Sequence, residues 1–310
     1  MHFDNVIIDL NKPEGISSQQ AVTKVRKLLG ARKAGHAGTL DPLATGVLLV
    51  CLGEATKITR FLMEKDKEYR TRMKLGERTD TLDAKGTVIE TREVTDLSVP
   101  EIEEAAREFT GRIVQKPPMY SAIKVNGRPL YALARKGLTV ERAARTVKVH
   151  SITVTSVDLP YIDLTISCSK GTYIRSLCDD LGERLGTLAH VTSLVRTRTG
   201  MFTINRAARL DELSSDMENH SSCRCIYTID EALADFPEVC LNEDDYQKAR
   251  NGANIDASGV RDQASQPYVR LKSPTGKLFG IGRVDNAKIA IERILNLQPQ
   301  RDNLNQFLKD

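Results

Sequence analysis

The sequence predicts an α+β protein with two domains. Serine-led capping boxes at residues 17–20 and 98–101 each precede a stretch whose apolar residues recur at helical spacing. Residues 68–75 and 162–168 instead alternate apolar and polar side chains, which is the pattern of a strand with one buried face. From residue 236 onward the pattern changes to short strands and turns. The chain is therefore expected to fold as a larger α+β unit followed by a small β-rich one.

Length and composition agree with this division. The chain has 310 residues, of which 40% are hydrophobic and 28% are charged, as in ordinary globular proteins. We place the two domains at residues 1–235 and 236–310. No run of 18 apolar residues occurs, which excludes a membrane-spanning helix, and the N-terminus lacks the pattern of a secretory signal. Six cysteines without paired metal-ligand spacing predict a reduced, cytoplasmic protein with no metal site.

Basic residues are segregated along the chain. Residues 15–40 and 184–210 each contain five Lys or Arg and no acid, and residues 110–148 contain nine with a single acid. The whole chain has a net charge of only +4, so the remaining segments must be strongly acidic. Such segregation favours a surface that binds a polyanion, and we interpret it as a nucleic-acid surface. Chance clustering on solvated faces remains the alternative at this point.

The first elements lead to a glycine-rich segment at residues 33–47. A short strand ends near Pro13, and a helix follows from the first capping box to Gly30. Within the glycine-rich segment, Pro42 disfavours a helical conformation at Asp41, and an apolar run follows at residues 47–52. Asp41 is therefore predicted on a stiff loop that leads into a buried strand, where a reactive group can be held firmly. A tight turn whose aspartate caps its own backbone is the alternative.

The middle of the chain carries the other predicted elements of the first domain. A helix is expected near Thr56, and a change of apolar parity between Val149 and Ile152 predicts a bulge in the strand at residues 147–157. Between the helix after residue 98 and this strand lies the most basic segment, which we name the basic insertion (about residues 110–148). Its prolines and mixed polarity argue against a core element, and bases interleaved with tyrosines suit contact with an RNA backbone together with stacking on bases.

The strand at residues 162–168 leads into a segment containing Gly171, Tyr173 and Arg175. If this segment is extended, Tyr173 and Arg175 point in the same direction, and a helix begins with Ser176 as its cap. An arginine at the end of a strand is a good candidate for holding a carboxylate or a phosphate. A surface ion pair is the simpler alternative for Arg175. Residues 211–235 are predicted to form a helical or irregular connection between the two domains. Residues 268–282 are predicted to form a β-hairpin.

Together these motifs resemble the TruB-type tRNA pseudouridine synthases of bacteria. The similarity covers the catalytic part in matching order, and it is more specific than any single motif. The matching segments are Asn11-Lys-Pro-Glu-Gly-Ile-Ser-Ser18, the glycine-rich segment with Asp41, Asp66-Lys-Glu-Tyr-Arg70, Lys116-Pro-Pro-Met-Tyr-Ser-Ala122, Ser169-Lys-Gly-Thr-Tyr-Ile-Arg175 and His190-Val-Thr-Ser-Leu194. The C-terminal domain resembles, less sharply, a PUA-like RNA-binding domain.

The resemblance implies a fold and a reaction. The fold is the pseudouridine synthase fold, with a mixed, largely antiparallel sheet and a cleft across its middle. The reaction converts uridine 55 in the T-loop of tRNA to pseudouridine after the base has been flipped out of its stack. Nothing is consumed, so no cofactor and no metal are expected. The implied partner is the T-arm of tRNA, bound by a monomer without an obligate protein partner.

The resemblance also assigns roles to individual residues. Asp41 is the essential carboxylate, acting either as a nucleophile or as a base; both remain open. Arg175 pairs with Asp41 and keeps it ionised, and Tyr69 stacks on the flipped uracil. The other implied roles are the filling of the gap left by the flipped base (His36), the lining of the pocket (Tyr173 and Leu194) and the support of the Asp41 segment from behind (Lys12 and Pro13).

Three alternatives stay open from the sequence. A non-catalytic RNA binder or tRNA-folding chaperone would use the same basic surface, with or without catalysis. A hydrolase with Asp41 as its nucleophile would need a second carboxylate, for which Asp80 and Asp83 are the nearest candidates. An enzyme of the same fold could act on ribosomal RNA, although the insertion and the C-terminal domain favour tRNA.

Overall fold

The computed structural model describes residues 4–125, 127–219, 223–256, 267–285 and 288–297. These residues form strands and α-helices together with one 3₁₀ segment at Gly53–Ile58. The strands are β1 (Val6–Lys12), β2 (Ala34–Ala37), β3 (Thr45–Leu52), β4 (Lys67–Leu75), β5 (Glu77–Thr79), β6 (Val88–Thr91), β7 (Gly111–Gln115), β8 (Lys124–Val125), β9 (Arg128–Pro129), β10 (Arg145–Asp158), β11 (Tyr161–Cys168), β12 (Ala189–Thr199), β13 (Phe202–Thr203), β14 (Ile226–Thr228), β15 (Glu238–Cys240), β16 (Ile255–Asp256), β17 (Tyr268–Lys272), β18 (Leu278–Asp285) and β19 (Lys288–Ile294). The helices are α1 (Ser18–Leu28), α2 (Thr59–Met63), α3 (Val99–Glu108), α4 (Leu130–Ala134), α5 (Ile174–Arg184), α6 (Leu210–Glu218), α7 (Ile229–Ala232) and α8 (Glu243–Arg250).

The main sheet has ten strands. Its order is β14-β1-β3-β12-β4-β11-β10-β7, with β13 paired to β12 and β2 paired to β3. Within the described strands of this sheet, β3 and β12 pair in parallel and the other pairs are antiparallel. The prediction of a mixed, largely antiparallel sheet is thus confirmed. The register also shifts between Val149 and Ser151, where the apolar pattern predicted a bulge.

Helices cover both faces of this sheet because each strand alternates its side chains between two apolar cores. On one face, α1, α3 and α5 pack on the inward residues of β1, β3, β4 and β11. Both predicted capping boxes form, at Ser17 and at Ser98, and they fix where α1 and α3 begin. On the other face, the 3₁₀ segment, α2 and α7 pack on the alternate residues of β1 and β3.

A second sheet, with the order β15-β17-β18-β19-β16, contains the predicted hairpin as β17 and β18. It packs against the second face of the main sheet through a ring cluster of Phe61, Phe236 and Tyr268. Asp230 on α7 adds ion pairs with Arg270 and Lys272 on β17. The two sheets therefore share one continuous apolar core. Residues 298–310 of the expected C-terminal domain lie outside the described residues.

Three local expectations differ from the structure. The expected helix near Thr56 is a 3₁₀ segment followed by the short helix α2. The expected joint at residues 211–235 contributes β14, which pairs with β1 at the edge of the main sheet. Cys223 and Cys225 are joined by a disulfide, which the sequence did not predict, although the other four cysteines are free thiols. Residues 220–222 of this expected joint lie outside the described residues.

The parallel contact between β3 and β12 depends on a glycine. Gly46 lies opposite Arg196 with φ at +96°, and a Cβ there would overlap the Arg196 backbone oxygen. Gly111 has a similar φ of +102°, but nothing lies within 4 Å of the place its Cβ would take. The two positions therefore separate backbone strain from steric overlap.

We predict that Gly46→Ala lowers the free energy of unfolding by about 3 kcal/mol or more, because strain and overlap add. Gly111→Ala serves as the matched control and should cost only the strain, about 1–2 kcal/mol. Urea unfolding followed by circular dichroism measures both. Equal losses in the two variants would contradict the role given to the β3–β12 contact.

Candidate active site

A cavity of about 440 Å³ opens between β4, the β2–β3 connection and the turn before α5. Its size lies within the range of small-molecule pockets. Of the eight site residues expected from the sequence, five line this cavity: Asp41, Tyr69, Tyr173, Arg175 and Leu194. They come from separate stretches of the chain, and the fold brings them to one place.

Asp41 lies on the connection between β2 and β3, which we name the Asp41 loop (residues 38–44). The loop is anchored from two sides. The Ser18 hydroxyl at the start of α1 binds both the amide (2.8 Å) and the carbonyl (2.9 Å) of Leu40, and the Gly15 amide donates to the Pro42 carbonyl at 2.8 Å. Because the residues on either side of Asp41 are held, its carboxylate has little freedom to move.

The Asp41 carboxylate pairs with Arg175, whose Nε lies 2.9 Å from Oδ2. The arginine side chain is 4% exposed and the aspartate side chain 34%, so the pair lies at the floor of the cavity with one carboxylate partly open. Burial raises the pKa of Asp41, while Arg175 and Lys12 act against that rise. Arg175 thus acts in the direction expected for it, favouring the ionised carboxylate, although burial is the larger effect on the pKa of Asp41.

Arg175 lies in the first turn of α5, which differs from the extended conformation expected for residues 169–175. The helix begins at Ile174 with Tyr173 as its N-cap, and not at Ser176. The reason is a distant side chain: Gln115 on β7 accepts from the Tyr173 amide at 2.8 Å and donates to the Tyr173 carbonyl at 2.9 Å. This amide side chain takes the place of a local cap, so the helix can start earlier.

Arg175 also donates to two backbone carbonyls and faces a second carboxylate. Its Nη1 donates to the Thr81 carbonyl at 2.6 Å and lies 3.5 Å from Asp83 Oδ2, and its Nη2 donates to the Tyr120 carbonyl at 2.8 Å. The fork geometry of a guanidinium allows this set of contacts, which an ammonium cannot reproduce. Through Tyr120, the arginine that holds Asp41 also holds the basic insertion.

The aromatic residues of the cavity have distinct surroundings. Tyr69 is 8% exposed, its pKa is raised by burial, and its hydroxyl faces the Arg196 guanidinium. Tyr173 carries the Arg145 guanidinium over its ring at 4.7 Å, and Arg145 also donates to the Gly171 carbonyl. Leu194 on β12 supplies an apolar wall. The cavity therefore offers two ring faces and an aliphatic surface near one carboxylate.

His36, Lys12 and Pro13 do not line the cavity. His36 lies on β2 opposite Val50, and burial lowers its pKa. Lys12 is fully buried behind the Asp41 loop, where Nζ donates to the carbonyls of Pro13 (2.7 Å) and Ile16 (2.9 Å). Burial lowers the pKa of Lys12 to about 8, although the nearby Asp41 acts against this shift.

Two residues of this region were not expected from the sequence. Gln115, which caps α5, carries no signal because its partner is 58 positions away. Arg196 is 1% exposed and lines the cavity from β12. The sequence did contain a signal for Arg196. It lies two residues after Leu194 on the same strand, so both side chains point to the same face, and a charged residue on an inward face is unusual. Asp83 was noted only as a possible second carboxylate, and the structure places it against Arg175.

Comparison with known proteins decides the family. Residues 26–174 match the family model described as TruB family pseudouridylate synthase (N terminal domain). Residues 175–234 match the model described as tRNA pseudouridylate synthase B C-terminal domain. The chain belongs to the TruB family of pseudouridine synthases.

Relatives with the name tRNA pseudouridine synthase B support this over nearly the full length. The protein from Burkholderia lata is 44% identical over 295 residues, covering 94% of this chain and 90% of its own. The one from Haemophilus influenzae is 42% identical over 289 residues, covering 92% of this chain and 94% of its own length.

Two solved structures share the fold. A Cbf5-Nop10-Gar1 complex contains a chain that is 26% identical, with a TM-score of 0.74, covering 95% of this chain and 86% of that one. An H/ACA RNP bound to a substrate RNA containing 2'-deoxyuridine contains another at 25% identity and a TM-score of 0.72, with the same coverage. In the described parts of this TruB-family chain, no helix is long and apolar enough to cross a membrane. The same parts hold no cluster of three or more His, Cys, Asp or Glu side chains suited to a metal ion.

We predict that Arg175→Lys lowers kcat/KM for tRNA about 100-fold, because a lysine keeps the charge but cannot hold Asp41 and two carbonyls at once. Arg184→Lys is the matched control on the same helix, where the arginine pairs with Glu108 on the exposed surface. Steady-state rates of pseudouridine formation test the pair. A lysine at 175 that supports normal rates would show that the fork geometry is unimportant.

A pH-dependent stability follows from a buried carboxyl group on β1. Asp9 on β1 is fully buried, and burial raises its pKa to about 7 against the opposing effects of Arg196 and Arg206. Because its pKa is higher when folded than when unfolded, Asp9 contributes stability that is complete below about pH 4 and lost as the pH rises to about 7.

We therefore predict that Asp9→Asn, which cannot ionise, becomes more stable relative to wild type at pH 8 than at pH 5. Urea unfolding at both pH values measures the difference, with Asp244→Asn on the exposed surface of α8 as the control. A difference between Asp9→Asn and wild type that is the same at both pH values would contradict the buried-carboxylate account.

Proposed function

We propose that this chain converts uridine 55 in the T-loop of tRNA to pseudouridine. The observation that carries the proposal is the Asp41–Arg175 pair at the floor of a base-sized cavity, in a chain that belongs to the TruB family. The reaction class follows from the family: the protein is a tRNA pseudouridine synthase, an isomerase that acts on RNA.

The chemistry requires that the uridine leave its stack and enter a protected site. Flipping a base costs a few kcal/mol and costs least in a loop. Contacts in the cavity offset part of this free energy, because Tyr69 and Tyr173 offer ring faces for stacking and Leu194 offers apolar contact. The structural neighbour from the H/ACA RNP comes from a complex with a substrate RNA containing 2'-deoxyuridine, which is consistent with an RNA-binding cleft in this fold.

Within the cavity we assign the chemical step to Asp41. The glycosidic bond from N1 to the ribose breaks, the uracil turns, and a bond from C5 to the same ribose carbon forms. C5 loses a proton and N1 gains one. Asp41 assists as a nucleophile or as a base, and Arg175 holds the carboxylate in place for either role. Tyr69 stacks on the uracil beside it. The reaction is an isomerisation and is balanced without a co-reactant.

Other residues have supporting roles in this proposal. Lys12 and Pro13 support the Asp41 loop from the side away from the cavity. The Lys12 ammonium donates hydrogen bonds to the backbone carbonyls of Pro13 and Ile16. His36, at the end of the strand that leads into the Asp41 loop, fills the place that the flipped base leaves in the RNA. None of the three side chains lines the cavity, so each acts from outside it.

The basic insertion is proposed to grip the T-arm. Its ends are the main-sheet strands β7 and β10, and residues 116–144 connect them outside the sheet. Its exposed cations can neutralise phosphates next to the cavity; they are Arg112, Lys116, Lys124, Arg128, Arg135, Lys136 and Lys148. Because Arg175 donates to the Tyr120 carbonyl, RNA that moves the insertion also acts on the Asp41 pair.

Residues 236–310 are proposed as a PUA-like domain that contacts the acceptor-stem side of the tRNA, after a catalytic domain at residues 1–235. We further propose that the enzyme acts as a monomer in the cytoplasm, without an obligate protein partner. The shared apolar core between the two sheets would keep both RNA-binding surfaces in a fixed relation.

The competing hypotheses find less support. A hydrolase needs a second carboxylate in the cavity, but Asp83 faces Arg175 and Asp80 accepts from the Tyr120 hydroxyl (3.2 Å) and the Thr87 amide (2.8 Å). Glu64 reaches the rim, where it pairs with Lys170. Action on ribosomal RNA is disfavoured by relatives with the name tRNA pseudouridine synthase B. A tRNA-folding role is compatible with the basic surface and can accompany catalysis.

The decisive test is tritium release from an unmodified tRNA transcript labelled at uracil C5. We predict one equivalent per tRNA from the wild type and none above background from Asp41→Asn, which keeps the size of the side chain and removes its charge. Binding of the transcript by the variant serves as the control for folding. If the wild type binds the tRNA tightly but releases no tritium, the isomerase proposal is overturned and the tRNA-folding chaperone remains as the proposed function.

A further inference from the structure

Arg196 is a buried cation that the reaction described above does not use. It lies on β12 and is the largest side chain among the described residues with less than 2% exposure. Burying a charge is costly unless the site supplies partners, and a protein core packs at least as well around an apolar side chain of this size. The partners that this guanidinium finds therefore indicate what it does.

The guanidinium of Arg196 holds both ends of the Asp41 loop. Its Nε donates to the Val47 carbonyl at 2.7 Å, just after the loop, and its Nη2 donates to the Gly38 carbonyl at 2.9 Å, at the start of the loop. A longer contact joins Nη1 to the Thr39 carbonyl at 3.4 Å. One rigid, planar group thus fixes the distance between Gly38 and Val47, and Asp41 lies on the chain between these two residues.

The loop conformation is adapted to this contact. Gly38 has φ at +92°, and a Cβ there would lie 3.5 Å from Arg196 Nη1. A positive φ turns the Gly38 segment so that its carbonyl can meet the guanidinium, and glycine adopts it at no steric cost. On the other side, the Arg196 backbone pairs with Gly46 in the parallel β3–β12 contact. Arg196 therefore holds the chain on both sides of Asp41, through its side chain at Gly38 and through its backbone at Gly46.

Arg196 also contacts a residue on the neighbouring strand β4, where Tyr69 is its cross-strand partner. Its guanidinium faces the hydroxyl of Tyr69 on β4 and forms part of the cavity lining. On its other side, Arg196 interacts electrostatically with Asp9, which is fully buried on β1. The arginine is thus in contact with the loop that carries the reactive carboxylate and with the ring that is proposed to stack on the uracil.

We propose that Arg196 is a positioning residue that sets the placement of Asp41 relative to Tyr69 across the cavity and thereby controls the rate of the chemical step. The inference rests on the proposed isomerase reaction and adds a second anchor to the Arg175 pair. Arg175 acts on the carboxylate itself, whereas Arg196 acts on the backbone of the Asp41 loop and on the tyrosine hydroxyl.

The test compares Arg196→Lys with Arg198→Lys on the same strand. Arg198 is partly exposed and donates to the Gly200 carbonyl, away from the Asp41 loop. Single-turnover release of tritium from C5-labelled tRNA gives the rate of the chemical step, and filter binding gives the Kd. We expect Arg196→Lys to lower the rate about 100-fold with the Kd within about threefold of wild type, as a misplacement of about 1 Å does. Arg198→Lys should match wild type in both.

A second variant covers the case in which a lysine at position 196 prevents folding. The double variant Arg196→Met with Asp9→Asn replaces the buried guanidinium and the buried ionisable carboxyl together and keeps the volume close to the original. A folded double variant is expected to bind tRNA normally and to react about 100-fold slower. Combination of Arg196→Lys with Tyr69→Phe should lose less than the product of the two separate losses, because the hydroxyl is one of the two contacts.

The outcomes separate the two proposals. A wild-type rate in any folded Arg196 variant would overturn the positioning role and leave the isomerase intact. A rate and an affinity that fall together with a lowered melting temperature would show that Arg196 only supports the core, and would also overturn the role. If the wild type itself releases no tritium, the proposed function fails.

Discussion

The ion pair between Asp41 and Arg175 is the interaction on which the rest of the site depends. A carboxylate that is withdrawn from water tends to take up a proton, and burial does raise the pKa of Asp41. Arg175 opposes this, and it also donates to the Tyr120 carbonyl of the basic insertion. The group that acts to lower the pKa of Asp41 is therefore the same group that contacts the basic insertion. An enzyme that must act on one base in a large RNA gains specificity if substrate contact and active-site geometry share an element.

The main sheet explains why this pair can form at all. Asp41 precedes β3 and Arg175 follows β11, and in the sheet order these strands are separated by β12 and β4. Leu194 comes from β12 and Tyr69 from β4, so the two intervening strands supply the walls of the cavity. The parallel contact of β3 with β12 lets the loop before β3 come close to Leu194 and Arg196. The cleft across the middle of the sheet is thus a consequence of strand order.

Much of this arrangement could be predicted from the sequence because its signals are local. Alternation located β4 and β11, capping boxes located α1 and α3, and the glycines and Pro42 located the Asp41 loop. The start of α5 was predicted wrongly because its first amide is satisfied by Gln115 from a distant strand. The inward position of Arg196 could be read from its parity with Leu194, but its partners could not, since they are backbone carbonyls on β3 and on the Asp41 loop. No local rule encodes a contact of this kind, and the extent of burial that shifts the pKa of Asp41 is equally a property of the whole fold.

Contacts with the backbone also explain how the geometry of this site can be held. Three of the polar groups around the cavity, Arg175, Arg196 and Gln115, use backbone carbonyls as partners. Backbone carbonyls of strands and anchored loops move less than side chains, so each contact fixes its donor to the scaffold. The proposed isomerisation needs one carboxylate held beside one flipped base. Preorganisation of that single group by buried arginines is a sufficient physical means of doing so, since the cost of ordering the site is met when the chain folds and not when the RNA binds.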